Sequence, residues 1–331
     1  MTIEENSAAV DGVGNKSRSR QPPPSKFRSF ITFLCDRENG TVLGRTGRSW
    51  FEITVFYIIF YSCLAGFFAV NMAIFLYTLD PAKPRFYGKG SIIGINPGMG
   101  YQPWISTDPE STLIRFHPDD NATYAKYTKQ LAKFLSKYNY SDEDLNKTRS
   151  CDKDHENNTQ LHELPCRFNP EKILAQAKCT ADDDYGFKSG QPCVFLTLNK
   201  LIEWEPVSYS SNSAPIEVQG RYDVTKGDVG VDCRGEYTAD EENVGELAYY
   251  PLSGIDRKFF PYRSVEGYRQ AFAIVKFVNP PTGILVSLEC KAYSLNIIHD
   301  RAYRLGMVHF ELLVEPTAQQ IQDWKKKMAE G

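Results

Sequence analysis

Four residues have the types and roughly the spacing of a tetrahedral zinc site: Cys151, His155, His162 and Cys166. Thiolate and imidazole are ligands that structural zinc prefers, so the pattern indicates a metal site if the thiols stay reduced. Outside the cell, thiols oxidise to disulfides instead. The compartment in which this segment lies therefore decides between zinc and a disulfide.

Two acidic stretches, at residues 152–154 and 182–184, satisfy the short D-x-D pattern of metal-dependent glycosyltransferases. Neither lies in the alternation of strands and helices that a nucleotide-binding domain needs. The sequence has no G-x-S-x-G, and Gly88, Gly90 and Gly94 miss the dinucleotide fingerprint by one residue. With 38 basic and 41 acidic residues, the chain also lacks the basic excess of a general nucleic-acid binder. We therefore predict no catalytic residue, cofactor, metal or nucleic-acid partner.

The elements that position these residues begin with a membrane anchor. Residues 53–79 are a run of 27 residues without a charge. A helix of that length extends roughly 40 Å, enough to cross a hydrocarbon core of about 30 Å. A cleaved signal peptide would lie near residue 1 and have a shorter apolar core. We therefore predict an uncleaved signal anchor surrounded by membrane lipid.

The distribution of cations predicts the orientation of this anchor. Eight Lys and Arg residues lie between Lys16 and Arg48, whereas the fifteen residues after the uncharged run hold three. Cytoplasmic flanks carry the excess of cations. The N-terminus is therefore expected in the cytosol and the C-terminus outside, as in a single-pass type II protein of the plasma membrane.

The part beyond the anchor carries glycosylation and disulfide signals. Four N-x-S/T acceptor sites lie there: Asn121, Asn139, Asn146 and Asn157. We predict N-glycans at these sites and none at Asn15 and Asn39, which precede the anchor. Six cysteines lie beyond the anchor: Cys151, Cys166, Cys179, Cys193, Cys233 and Cys290. In an oxidising compartment they predict three disulfides, with fifteen possible connectivities.

Composition divides the chain into five segments. They are a cytosolic tail at residues 1–49, a transmembrane helix at 50–80, a Pro/Gly-rich stalk at 81–109, a disulfide-bonded glycosylated ectodomain at 110–316 and a C-terminal tail at 317–331. The stalk prediction rests on five prolines and five glycines in 29 residues. The polar C-terminal segment indicates a tail helix or a frayed end.

Periodicity within the ectodomain changes from helix to strand. Apolar residues between Tyr124 and Tyr138 recur at intervals of three and four, which predicts an amphipathic helix. Asn169, followed by Pro170, predicts the start of a second helix. We predict strands at residues 193–199, 216–222, 271–278, 283–290 and 307–315. Loops of varied length between them favour an antiparallel β-sandwich with one or two peripheral helices.

The transmembrane helix carries two stripes of side chains at helical spacing. Large residues form one stripe: Tyr57, Tyr61, Leu64, Phe68 and Met72. Small residues form the other: Ser62, Gly66, Ala69 and Ala73. Small residues at this spacing let helix backbones approach closely, although apolar spans also contain the pattern by chance. Asn71 adds an amide that needs a hydrogen-bond partner in hydrocarbon. The stripes predict docking between two helices of another protein.

Several stretches resemble the β subunits of the Na,K- and H,K-transporting P-type ATPases. LGRTGRSWF at residues 43–51, followed by Phe56-Tyr57 and Phe60-Tyr61, is similar to the family's juxtamembrane and transmembrane signature. Further motifs follow in order: YGFKSGQPC at 185–193, LNK at 198–200 and LECKAY at 288–293. The likeness covers roughly residues 26–315, and its variant of the motifs is most like an invertebrate-type sodium-pump subunit.

The resemblance implies the disulfide pairs Cys151–Cys166, Cys179–Cys193 and Cys233–Cys290, together with an immunoglobulin-like antiparallel β-sandwich. It implies one protein partner, the catalytic α subunit of a Na,K-ATPase, with the anchor packed on that subunit's seventh and tenth spans. The anchor residues assigned to this contact are Phe56, Tyr57, Phe60, Tyr61, Ser62, Gly66 and Ala69.

The family's tyrosine-rich external segment contacts the α subunit's extracellular loop between spans seven and eight. The best match here is Phe259-Phe260-Pro261-Tyr262, with Tyr268 further along the chain. Tyr249-Tyr250-Pro251 is a second candidate. The resemblance therefore implies a second contact with the α subunit, outside the membrane.

These observations together predict a non-catalytic accessory β subunit. Such a subunit would stabilise the folded α subunit by binding its native state, permit assembly and delivery to the plasma membrane, and modulate the affinity for extracellular potassium. Two alternatives from other classes stay open: a type II membrane glycosyltransferase and a free-standing cell-adhesion glycoprotein.

Overall fold

The structure is a computed structural model that describes residues 30, 33–36, 40–80, 83–92, 94–107, 112–151, 164–210, 213–223 and 226–330. Its internal contacts divide the chain into two units, Met1–Thr78 and Leu79–Gly331. The first unit contains a small antiparallel sheet of strands β1 (Cys35–Asp36), β2 (Thr41–Val42) and β3 (Arg45–Thr46), followed by helix α1 (Gly47–Tyr77).

Helix α1 contains the predicted membrane anchor. It begins where the Thr46 hydroxyl accepts a hydrogen bond from the Ser49 backbone N–H at 3.4 Å. Its 31 residues are long and apolar enough to cross a membrane, and none of them is buried. The Asn71 amide donates to the Phe67 carbonyl at 2.7 Å. That amide is therefore hydrogen-bonded within the helix.

Eight strands of the second unit form two four-stranded sheets. The strands are β4 (Met99–Gln102), β5 (Leu113–Phe116), β6 (Cys193–Leu198), β7 (Gly230–Gly235), β8 (Leu247–Tyr250), β9 (Phe272–Phe277), β10 (Leu285–Tyr293) and β11 (Met307–Val314). The first sheet has the order β5-β11-β10-β7 and the second β4-β6-β9-β8. The strands pair antiparallel except β5 with β11, which are parallel. The unit is mainly β, with one parallel pair that the sequence did not predict.

The two sheets share one apolar core. Tyr101 of β4 stacks on Phe310 of β11 with ring centroids 4.8 Å apart, and Phe277 of β9 meets Phe310 edge-on at 6.3 Å. In β10, buried Val286 and Leu288 alternate with the less buried Ser287, as expected for a strand with one face in the core. The core thus lies between the two sheets and holds them together.

Two helices pack against this β structure as predicted. They are α2 (Asn121–Leu135), which buries Tyr124, Tyr127 and Leu131, and α4 (Glu171–Ala177). The Asn169 side chain accepts a hydrogen bond from the Glu171 backbone N–H at 2.9 Å, so it caps α4 although the helix begins after Pro170. The other α-helices of the described second unit are α3 (Asp142–Asn146), α5 (Ile216–Gln219), α6 (Thr238–Asn243) and the C-terminal α7 (Ala318–Glu330).

Two sequence predictions are wrong. Residues 216–222 do not form a strand, because α5 follows Pro215 and the Tyr222 backbone N–H then donates to the Val218 carbonyl at 2.8 Å. The stalk predicted at residues 81–109 is too long, because β4 pairs with β6 and belongs to the second sheet. Strands β4, β5 and β8 were missed, since runs of four residues carry little periodicity, and the six-residue β7 was missed as well.

Candidate partner-binding site

Three disulfides occupy the six cysteines beyond the anchor. In Cys151–Cys166, Cys179–Cys193 and Cys233–Cys290 the Cα atoms lie 5.6, 6.1 and 4.0 Å apart, and these are the pairs that the resemblance implies. Because Cys151 and Cys166 are bonded to each other, neither supplies a thiolate to zinc, and the zinc hypothesis is wrong. Across the described residues, no group of His, Cys, Asp or Glu side chains is placed to hold a metal. His155 and His162 lie outside the described residues.

The YGFKSGQPC motif has a packing role in the structure. Phe187 is fully buried, with its ring centroid 4.8 Å from that of Phe116 and 5.6 Å from that of Tyr127. Gly186 has φ +81°, and a Cβ atom there would lie 2.0 Å from the Gln191 carbonyl oxygen. Glycine is therefore required at this turn. The motif fixes the entry of the chain into β6.

Tyr249, in the second candidate for the external contact, lies on β8 of the second sheet and faces β7 of the first. Its hydroxyl accepts a hydrogen bond from the Cys233 backbone N–H at 2.9 Å and lies 3.2 Å from an Asp232 carboxylate oxygen. The Arg221 guanidinium lies 3.8 Å from the centroid of the ring. Burial and, secondly, the charge of Asp232 raise the pKa of Tyr249. Only 9% of this residue is exposed, so Tyr249 supports the strand that carries Cys233 and is closed to a partner.

The first candidate lies at the surface. Its five residues form what we call the aromatic ledge: Phe259, Phe260, Pro261, Tyr262 and Tyr268. All five are half-buried. Phe259 meets Phe168 edge-on at 5.1 Å between ring centroids, and Phe260 meets Trp204 edge-on at 5.4 Å. Packing within the chain thus fixes the rings and leaves part of each accessible to another protein.

A lysine adds positive charge to the aromatic ledge. Tyr262 and Tyr268 meet edge-on at 4.8 Å, and the Lys200 ammonium lies 5.2 and 5.5 Å from their ring centroids. These distances are typical of cation–π contacts. Burial, with smaller contributions from Tyr262 and Tyr140, raises the pKa of Tyr268. Sequence reasoning missed Lys200 as a ledge residue, although it belongs to the LNK motif.

Ion pairs hold Arg263, which follows Pro261 and Tyr262 of the aromatic ledge. Glu203 binds Arg263 at 2.8 Å and Lys83 at 3.0 Å. Burial opposes ionisation of Glu203, but hydrogen bonds from these two cations outweigh it and lower the pKa of the carboxyl. Ile202 and Tyr262 also form an isolated parallel β-bridge. The ledge is therefore tied to the chain that follows β6 and is preformed for binding.

The anchor residues assigned to partner contact all lie on the exposed surface of α1. Phe56 stacks with Phe60 at 6.1 Å between centroids, and Tyr57 with Tyr61 at 5.8 Å. At Gly66, a Cβ atom would have no neighbour within 4 Å among the described residues outside its own helix backbone. Ser62 and Ala69 are exposed as well. Both stripes are thus available to another molecule.

Three of the four predicted glycosylation sites are on the surface. Asn121 begins α2, Asn139 follows its C-terminal turn and Asn146 ends α3, and all three side chains belong to exposed residues. Asn157 lies outside the described residues. The three described sites are therefore accessible to a glycosylating enzyme.

One apolar helix followed by a mainly β unit with three disulfides fits a single-pass membrane protein. The family model described as "Sodium / potassium ATPase beta chain" matches residues 20–310. The chain therefore belongs to the sodium/potassium ATPase beta chain family.

Three relatives illustrate the similarity. "Probable sodium/potassium-transporting ATPase subunit beta-3" of Caenorhabditis briggsae is 49% identical over 295 residues, 88% of this chain and 87% of the relative. "Sodium/potassium-transporting ATPase subunit beta-2" of Drosophila melanogaster is 34% identical over 327 residues, 95% and 99% of the two chains. The human protein of the same name is 27% identical over 300 residues, 86% and 93%. Membership of a family of accessory β subunits confirms that the chain is not an enzyme.

Proposed function

We propose that this chain is the accessory β subunit of a Na,K-transporting ATPase, required for folding, assembly and plasma-membrane delivery of the catalytic α subunit. The observation that carries the proposal is α1, a 31-residue apolar helix with no buried residue, in a chain of the β family. Its stripes of large and small residues have no partner within the described residues. A second membrane protein would bury them by helix packing.

The proposed topology places the N-terminus in the cytosol and the C-terminus outside, with N-glycans on Asn121, Asn139, Asn146 and Asn157. The excess of cations before α1 supports this orientation. In this topology we propose the same five segments, from cytosolic tail to C-terminal tail, except that the stalk ends before β4. Glycosidase treatment of the expressed chain tests the proposal, because external sequons alone carry glycans. Substitution of Asn15 or Asn39 should leave the glycosidase-sensitive mass unchanged.

We propose that the ectodomain is an immunoglobulin-like sandwich. Its support is the pair of four-stranded sheets around one core. It differs from antibody domains in one respect. Cys233 and Cys290 are cross-strand partners on β7 and β10, so the disulfide joins neighbours within one sheet, whereas antibody domains bridge the two sheets.

The two exposed surfaces are proposed to bind different parts of the α subunit. The stripes of α1 would pack on its seventh and tenth spans, and the aromatic ledge would contact its extracellular loop between spans seven and eight. Half-buried aromatic residues on a rigid support are the type that dominates interface energy. A contact near the ion path that differs between ion-bound states would change the affinity for extracellular potassium.

Co-purification tests the main proposal. The tagged full-length chain is expressed in animal cells with a Na,K-ATPase α subunit and purified in mild detergent. We expect the α subunit in equimolar amount, identified by mass spectrometry, and lower α-subunit abundance at the surface when this chain is omitted. Recovery of the chain alone, with normal α-subunit delivery, would contradict the proposal and favour the adhesion glycoprotein.

A further inference from the structure

The segment before α1 ends in a hairpin with an apolar tip. Val42 of β2 and Arg45 of β3 are paired across a two-residue loop of Leu43 and Gly44, whose φ angles are +55° and +73°. Such loops favour Asn-Gly, because both residues adopt left-handed conformations that disfavour most side chains. A leucine at this position is locally unfavourable, so the sequence keeps an apolar side chain where turn chemistry prefers a polar one.

The hairpin tip belongs to a larger exposed apolar surface. We call it the juxtamembrane foot and define it by four residues: Phe33, Leu34, Val42 and Leu43, which are 56%, 40%, 50% and 43% exposed. The Leu43 backbone N–H donates to the Leu34 carbonyl at 3.1 Å. The Phe33 ring lies 3.4 Å from the position that a Cβ atom at Gly44 would occupy. The foot is thus one connected surface.

A hydrogen bond fixes the distance of the foot from the hydrocarbon. The Trp50 indole N–H donates to the Val42 carbonyl at 2.8 Å. Trp50 precedes the first residue of the uncharged run, Ile53, by three positions, or about 4.5 Å along the helix axis. The headgroup layer on each side of a bilayer is roughly 5 to 7 Å thick. The bond therefore holds Val42 at the depth of the headgroups, where tryptophan is also favoured.

Charge around the foot suits an anionic surface. The exposed Arg45 and Arg48 flank it, and Arg48 is paired with Glu52 at 3.1 Å. Between Lys16 and Glu52 the sequence has eight cations against three acids: Asp36, Glu38 and Glu52. Basic segments next to a span are attracted to the anionic lipids of the cytoplasmic leaflet. An apolar surface with cationic flanks is also the composition of segments that lie in the membrane interface.

We propose that the juxtamembrane foot is a second membrane contact, in which its apolar side chains enter the headgroup layer and Arg45 binds anionic phospholipid. The proposal rests on membrane insertion of α1, which is part of the proposed function, but not on binding of the α subunit. The bilayer is the occupant because the foot is continuous with the span and is held at headgroup depth by Trp50.

Spin labelling of the full-length chain in bilayer nanodiscs tests this proposal. With Cys63→Ser, Cys35 is the one cysteine outside the three disulfides, and its Cα atom pairs with that of Val42. A nitroxide on Cys35 should be more accessible to oxygen than to a water-soluble nickel complex. A label on Lys133→Cys, in a chain lacking Cys35 and Cys63, supplies the water-exposed reference, since Lys133 is exposed in the second unit.

Two substitutions of one residue separate membrane contact from turn formation. Leu43→Asn suits the turn but removes the apolar tip, and should shift the Cys35 label toward water. Leu43→Met keeps the tip apolar and should leave the label in place. In nanodiscs containing phosphatidylserine the label should be deeper than in phosphatidylcholine alone, and Arg45→Gln should reduce that difference.

A label on Cys63, with Cys35→Ser, distinguishes failure of the foot from failure of the span. If the Cys63 label lies in lipid and the Cys35 label is as water-accessible as the Lys133→Cys reference, the proposal is overturned while α1 remains a span. Protection of Cys35 that requires co-reconstituted α subunit would overturn it in favour of a protein contact. An identical label depth with Leu43→Asn would also overturn it.

Discussion

Helix α1 and the ectodomain use the same residue types in opposite ways. Phe60 in α1 is 48% exposed, whereas Phe272 and Phe310 in the ectodomain are 1% and 0% exposed. Phenylalanine is therefore exposed in one region and buried in the other, and what differs is where the contacting atoms come from. The ectodomain supplies its own core, so its aromatic residues determine stability. Helix α1 must bury its residues against lipid or another protein, so its aromatic residues determine association.

The largest expected effect tests this contrast directly. Phe310 lies at the centre of the core, between Tyr101 and Phe277. Phe310→Ala removes these contacts and should lower the free energy of unfolding of the ectodomain by about 3 to 5 kcal/mol. The measurement is thermal or denaturant unfolding of the purified chain in detergent, followed by near-ultraviolet circular dichroism.

Phe60→Ala is the matched control, because it deletes the same side chain from α1. Its effect on ectodomain unfolding should be close to zero. A similar loss of stability in both variants would mean that the helix contributes to the ectodomain core, and the contrast between the two regions would fail.

The second prediction compares two disulfides within the ectodomain. Cys233–Cys290 closes a sequence separation of 57 residues and Cys179–Cys193 one of 14. Removing a native bridge costs about 2 to 5 kcal/mol, and loop entropy makes the longer one worth about 1 kcal/mol more. Replacing both cysteines of each bridge by Ala should therefore destabilise the ectodomain more for Cys233–Cys290. Denaturant unfolding of the two double variants measures the difference, and the reverse order would show that loop entropy does not set it.

The sequence predicted secondary-structure elements best where a hydrophobic pattern extended over many residues. The uncharged run contains most of α1, and alternation from Val286 to Cys290 lies in β10. Residues 216–222 also suggested a strand, but Pro215 and a helical turn override so short a pattern. The two-residue strands β1 to β3 carry no periodicity at all. Short elements are determined by tertiary contacts, such as that of Trp50 with Val42, which a sequence does not display.

The candidate site was predictable only in part for a related reason. The stripes of α1 follow from helical spacing, so the residues alone identified them. The aromatic ledge followed from the family resemblance. Its neighbours Phe168, Trp204 and Lys200 are distant in sequence from Tyr268, and the fold brings them together. No local pattern joins positions that meet through packing of separate loops.

The third prediction concerns association through α1. Within the chain, Gly66 has open space at its Cβ position, so Gly66→Leu should not disturb the helix itself. Against a closely packed partner helix, the added side chain would separate the two backbones and should remove most of the α subunit recovered with this chain. Ile59→Leu, at a residue that is 58% exposed and lies outside both stripes, is the control. Equal recovery of the α subunit by the two variants would place the small stripe against lipid.

The smallest expected effect concerns the aromatic ledge, whose residues both pack within the chain and stay partly exposed to a partner. Phe260 packs on Trp204 within the chain and also leaves part of its ring accessible. If that part binds the α subunit differently in its two ion-bound states, Phe260→Ala must shift their equilibrium by the difference in contact free energy. About 1.4 kcal/mol would change the apparent potassium affinity tenfold, and a half-buried ring should give up to that amount.

The measurement is pump current against extracellular potassium concentration, at matched surface expression of assembled complexes. Tyr237→Ala is the control, because Tyr237 is 60% exposed but lies outside the aromatic ledge, and it should leave the half-saturating concentration unchanged. A change with Phe260→Ala alone would give the ledge an association role like that of α1. An unchanged half-saturating concentration in both variants, with normal assembly, would give Phe260 a packing role only, like that of Phe310. Its contacts would then lie within its own chain.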